Sequence, residues 1–136
     1  MYKKILVPID PSHVEDAEPT LALAEHLKSD DGEIILLSVV EEIPTYVASQ
    51  IPPELLVDAK ANTNEEIKSM ARKAKVDATI LVKSGHAAAT IKAVQREKEC
   101  DLIIISSHKP TTVDYLLGST ASKVVRKAPC PVFVTR

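Results

Sequence analysis

The chain has no tryptophan, one phenylalanine and three tyrosines among 136 residues, so aromatic side chains make up only 3% of it. Its core must therefore be aliphatic, and a platform for stacking unpaired bases is excluded. Charge of one sign is also missing, since 17 basic residues stand against 19 acidic ones for a formal net charge of −2. No overall field draws such a chain to nucleic acid or to an anionic membrane, which leaves small molecules and proteins as partners. No apolar run approaches the ~20 residues of a membrane helix. Met1-Tyr2-Lys3-Lys4 leads directly into a strand pattern without a small-residue cleavage site. We expect a cytoplasmic protein with no membrane insertion. The two cysteines, Cys100 and Cys130, lack CxxC spacing and each precedes an apolar run, as buried thiols in a reducing compartment do.

Catalytic signatures are scarce too. No His-Glu-His spacing suggests zinc, no Gly-x-Ser-x-Gly supplies a strained nucleophile, and no Gly-x-x-x-x-Gly-Lys-Ser loop is present. What is present is apolar content of 45%, ordinary for a globular chain, and a length that fits one domain over residues 1–136. The runs Ile5-Leu6-Val7, Ile34-Ile35-Leu36-Leu37 and Leu102-Ile103-Ile104-Ile105 have no polar alternation, the mark of strands covered on both faces of a parallel sheet. Strands are expected at residues 4–9, 33–40, 78–83, 101–106 and 131–135. Between them, Val14, Ala17, Leu21, Ala24 and Leu27 keep a helical period, as do Leu56, Ala59, Thr63, Ile67, Met70 and Ala74, and then Ala87, Ile91 and Val94. A fourth helix covers residues 119–127. Ser12 and Glu15 have capping-box spacing, Pro19 is expected to bend the first helix, Asp30-Asp31-Gly32 to end it in a turn, and residues 41–53 to form a long loop that could act as a lid. Alternation of strand and helix predicts an α/β fold: one open parallel five-stranded sheet with helices on both faces, joined by right-handed crossovers.

In such sheets ligands bind beyond the carboxyl ends of the strands, where strand order reverses. Strand one delivers Pro8 and Asp10 there, strand two Val39, Val40 and Glu41, strand three Ser84 and Gly85, and strand four Ser106, Ser107, His108 and Lys109. Gly118-Ser119-Thr120 then opens a helix whose free N–H groups suit an anion. Asp10 suits a ribose hydroxyl or an adenine edge, or else a turn beside Pro11-Ser12, and Gly118-Ser119 equally suits a simple helix start.

The segments Ile5-Leu6-Val7-Pro8-Ile9-Asp10, Ser107-His108-Lys109-Pro110, Leu116-Leu117-Gly118-Ser119 and Ala128-Pro129-Cys130-Pro131-Val132-Phe133-Val134 resemble the universal stress protein family, and the likeness spans the chain. Nucleotide-binding members usually carry Gly, two residues, Gly, nine residues, then Gly with Ser or Thr; here only Gly118-Ser119 remains and Ser106 stands at the first glycine. In this the chain resembles the family's short-loop, filament-associated branch. The resemblance implies strand order 3-2-1-4-5, a Rossmann-like sheet, and ATP or AMP as ligand, with Mg as counter-ion. It also implies backbone contacts to adenine at Val39 and a homodimer through the last strand, Pro131, Val132, Phe133 and Val134. No positioned base suggests an enzyme, so hydrolysis is expected to be slow or absent. The alternative is an interaction protein of the same fold with an eroded site. A response-regulator reading needs an Asp closing strand three, where Lys83-Ser84-Gly85 stand.

Overall fold

The computed structural model describes residues 1–41, 45–107 and 118–136. Strands β1 (Tyr2–Ile9), β2 (Lys28–Val40), β3 (Thr79–Ser84), β4 (Leu102–Ser106) and β5 (Val132–Thr135) form one parallel sheet in the order β3-β2-β1-β4-β5. Helices α1 (Glu18–Leu27), α2 (Thr45–Ala48), α3 (Pro53–Lys73), α4 (Ala87–Lys98) and α5 (Ser119–Lys127) complete it. Both the topology and the fold class match the expectation.

Successive strand residues point to opposite faces, so each apolar run must serve two cores. Ile5, Val7, Ile34, Leu36 and Ile104 pack with Leu21 and Ala24 of α1 and Ile67 and Met70 of α3. Leu6, Ile35, Leu37, Ile103 and Ile105 pack with Ile91 and Val94 of α4 and Ala121 and Val124 of α5. This division explains why the runs show no polar alternation. It also sets α1 and α3 on one face and α4 and α5 on the other.

Five local expectations are corrected. Ser12 and Glu15 form no capping box: a 3-10 turn at Val14–Ala17 precedes α1, its cap position is His13, and no side chain caps it. Pro19 does not bend a helix, because α1 starts at Glu18 and the proline falls in its first turn, where no intrahelical N–H is needed. Asp30-Asp31-Gly32 is not a turn between elements but part of β2. Tyr2 pairs with Lys28 and Lys4 with Glu33, so one residue of β1 faces four of β2 and the strand bulges. Gly32 suits that bulge, since a Cβ there would sit 2.9 Å from the carbonyl oxygens of both Ser29 and Tyr2. Finally, the stretch after β2 is not all loop, because α2 lies within it. The buried stripe of α3 is shorter than the period suggested: Thr63, Ile67 and Met70 are buried, Ala59 is exposed, and the Leu56 side chain lies outside the description. The Thr63 hydroxyl donates to the Ala59 carbonyl at 3.0 Å, which accommodates a buried hydroxyl within the helix.

At the amino edge of the sheet Asp101 joins β1 to β4. Its Oδ2 accepts the Lys3 N–H and its Oδ1 the Lys4 N–H, each at 2.9 Å, while its own N–H donates to the Lys4 carbonyl. Burial pushes the carboxyl pKa up, but the two backbone bonds outweigh it and hold the group below its usual range. A carboxyl depressed in the folded state stabilises fully above its unfolded pKa of ~3.9, and that contribution is lost as pH falls through the folded value. Asp101→Ala is expected to lower unfolding free energy by about 1–3 kcal/mol at neutral pH in urea titrations. The gap from wild type should narrow below pH ~4, and a constant gap down to pH ~2 would refute the charge-based origin.

Candidate functional site

The carboxyl ends of β1 and β4 do not stay paired. Register partners between them are Ile5 with Leu102 and Leu6 with Ile103, whereas β1 and β2 remain paired as far as Ile9 with Ser38. Beyond Leu6 the two central strands part, and Pro8, which has no N–H to offer a ladder, lies in that unpaired stretch. A cleft of about 690 Å³ opens there.

Seven of the expected residues line this cleft: Pro8, Asp10, Val39, Ser106, Gly118, Ser119 and Thr120. Ser107 is placed differently. It is buried, its hydroxyl accepts the Gly118 N–H at 3.1 Å, and its own N–H donates to the Thr135 carbonyl at 2.9 Å. Ser107 thus ties the end of β4 to the start of α5. His108 and Lys109 lie outside the described residues.

Asp10 does take part in a turn. Its Oδ1 accepts the Ser12 N–H at 2.8 Å and its Oδ2 lies 3.3 Å from His13 Nδ1, contacts that orient the carboxylate at the cleft wall. Each oxygen retains a further lone pair, so the turn and a ligand contact are compatible. On the other side, Gly118 caps α5 with φ −59° and ψ 156°, a conformation open to any residue, so what glycine adds there is room. Among the described residues no acceptor takes the N–H groups of Ser119, Thr120 or Ala121, the free donors of a helix N-terminus.

Val40 and Glu41, expected at the end of strand two, line the cleft too, and Glu41 adds a second carboxylate. Leu37, Ala87, Ile91 and Ile105 escaped sequence reasoning and make an apolar wall with Val40. Ala87 and Ile91 were legible only as the buried stripe of α4, and their role depends on how that helix crosses the sheet. Gly85 sets the crossing: φ is 146°, its N–H donates to the Val40 carbonyl at 3.0 Å, and a Cβ would sit 2.8 Å from Thr90 Oγ1. Ser38 also escaped. Fully buried within β2, its hydroxyl donates to the Ile9 carbonyl at 2.9 Å and so fixes the residue before Asp10.

The resulting chemistry is amphiphilic: an apolar slot, hydroxyls at Ser106, Ser119 and Thr120, a ring of free N–H groups, and two carboxylates. Among the described residues lining it there is no lysine or arginine. Neither cysteine lines the cleft, and burial pushes the Cys100 thiol up to about 11 and raises Cys130 as well. Ser38→Ala should lower stability by about 1–2 kcal/mol by leaving the buried Ile9 carbonyl short of a donor. Thermal unfolding checks this, and an unchanged melting temperature would show that the bond does not brace the cleft.

The family model for the universal stress protein family matches residues 1–136. Universal stress protein G of Salmonella typhimurium is 30% identical, with all of both chains covered. Among solved structures, universal stress protein UspA from Lactobacillus plantarum superposes with a TM-score of 0.77 at 26% identity, covering 99% of this chain and 98% of that one. The protein MJ0577 superposes with a TM-score of 0.80 at 26% identity, covering 99% and 96%. The same fold is seen in a universal stress protein in complex with cAMP, 15% identical with a TM-score of 0.72 and coverage of 99% and 97%. It is seen again in one from Archaeoglobus fulgidus in complex with dAMP, 18% identical with a TM-score of 0.62 and coverage of 99% and 98%. With the whole length matched and the sheet order in place, the chain belongs to the universal stress protein family.

Proposed function

We propose that this universal stress protein binds an adenine nucleotide, ATP or AMP, in the cleft between β1 and β4 and acts as a regulatory module rather than an enzyme. The single observation that carries the reading is the opposition of Asp10 and Val39 to the free N–H groups of Ser119 and Thr120 across one cleft. An adenine ring fits the apolar slot beside Val39 and Ile91, Asp10 accepts from the ribose hydroxyls, and the start of α5 takes the phosphates. That two proteins of this fold hold cAMP and dAMP supports the choice of base, while the likeness to them is one of fold.

Charge decides how a triphosphate would be held. With Asp10 and Glu41 in the lining, the helix N-terminus and hydroxyls alone answer an anion poorly, so Lys109 and a Mg ion carried on the phosphates complete the site. Such an ion is held chiefly by the nucleotide. Hydrolysis well below ~1 per second is expected. The sequence Ser107-His108-Lys109-Pro110 supports membership of the short-loop branch of the family, and the free thiols suit the cytoplasm. Ser106 at a position usually held by glycine supports a second reading, an interaction protein with an eroded site.

Calorimetry on nucleotide-stripped protein separates the two. Saturable heat with ATP and AMP supports the first, and none at millimolar ATP supports the second. Gly118→Val should abolish binding by filling the approach to the helix, and Lys109→Ala should weaken ATP more than AMP. Equal losses would remove the role given to Lys109.

The dimer belongs to the same proposal. β5 is an edge strand, its Val132 and Val134 pack against the α4 and α5 core, and Phe133 is 45% exposed. Soluble proteins cover such an edge, and antiparallel pairing with a second copy closes it by two-fold symmetry. Phe133→Lys tests this better than a change at the packed Val134. Light scattering should show a dimer for wild type and a monomer for the variant; a wild-type monomer, or an unaltered dimer in the variant, would contradict this interface.

A further inference from the structure

A second groove, of about 650 Å³, runs between α4 and α5 on the face away from α1 and α3. Its walls carry Lys92 and Arg96 on α4 and Lys123 and Lys127 on α5. Each pair is spaced i, i+4, one helical turn apart, so the cations form two facing ladders. Among the described residues Glu41 is the one carboxylate in the lining. Among the described residues none of the four cations has an ion-pair partner; the one ion pair on α4 joins Glu97 to Lys83 of β3 at 3.8 Å. From Gly118 to the end of the sequence there are four basic residues and no acidic one.

The net charge of −2 therefore hides a division. Exposed Glu15, Asp16, Glu18 and Glu25 lie on the α1 side of the sheet, and the four cations of the groove lie on the α4 and α5 side. Between the ladders the short side chains of Ala88, Ala93 and Ala128 leave the groove open down to Ile91, Val124 and Ile103. Cationic rims over an apolar floor complement a segment with acidic residues on one side and small apolar residues on the other. A DNA duplex is convex and is read by a protruding helix or ribbon, which a depression with cations on its walls does not supply.

We propose that the groove between α4 and α5 docks an acidic amphipathic segment of a partner protein, held by Lys92, Arg96, Lys123 and Lys127. The site borders the nucleotide cleft through Ser119 and Thr120 but does not rest on nucleotide binding.

Fluorescence anisotropy of a labelled peptide of repeated Glu-Glu-Ala-Leu, with a Lys-Lys-Ala-Leu peptide as control, tests the assignment on the full chain. Saturable binding of the acidic peptide alone is expected, weakening with salt and falling about ten-fold or more in Lys123→Glu/Lys127→Glu. The variant Arg72→Glu/Lys73→Glu makes the same charge change on α3 and should bind as wild type. Lys92→Gln/Arg96→Gln, which adds no negative charge, should weaken binding too and covers the case in which the reversed variant misfolds by circular dichroism. Absence of binding, equal loss in the α3 variant, or tighter groove-dependent binding of duplex DNA or phosphatidylserine vesicles would overturn the proposal. So would salt-sensitive self-association that the groove variants abolish, since the acidic partner would then be a second copy of this chain.

Discussion

The cleft follows from where the two central strands stop pairing. β1 and β4 are held at their amino ends by two register pairs and by the Asp101 carboxylate bridging Lys3 and Lys4, and they part beyond Leu6 and Ile103. Within the sheet itself the strand interiors are filled from both sides, so the opening lies at the strand ends. Reversal of strand order sends the α1 connection to one face and the α5 connection to the other. The opening between them is thus lined by the end of β1 on one flank and the start of α5 on the other.

Hydrogen bonds then brace the cleft. Ser38 fixes the Ile9 carbonyl, Ser107 fixes the Gly118 N–H, and the Ser12 N–H fixes the Asp10 carboxylate. The first two join separate segments that meet at the opening, the third closes a local turn, and each positions a neighbour. Electrostatically the described lining offers carboxylates, hydroxyls and backbone donors without a side-chain cation, while the four cations gather one groove away, between α4 and α5. A chain of small net charge can in this way carry two surfaces of opposite preference, which a composition count alone does not reveal.

The sheet was legible because runs such as Ile34 to Leu37 can be satisfied only by burial on both faces, and strand order followed from family resemblance. Seven residues of the cleft were legible because strand ends and a Gly-Ser helix start are local signals. Less was legible wherever tertiary context decides. The Asp30-Asp31-Gly32 triplet has turn chemistry, yet pairing of Tyr2 with Lys28 turns it into a bulge of β2. Ser12 and Glu15 have the spacing of a capping box, but the Ser12 N–H is taken by Asp10 and the segment tightens into a 3-10 turn. Ser107 has the chemistry of a phosphate ligand, and only the fold brings its hydroxyl to the Gly118 N–H as well. Ser38 carries no local sign of its role, since only the register of β2 against β1 brings its hydroxyl to the Ile9 carbonyl.

The most direct test of the account is a residue-resolved one: amide chemical shifts of isotope-labelled protein followed as ATP is added. Binding at the parted strands predicts the largest shifts at Asp10, Val39, Ser119 and Thr120, with little change at α3. Shifts centred on the α1 and α3 face, or on the α4 and α5 groove without movement at Asp10, would place the nucleotide elsewhere and contradict the account.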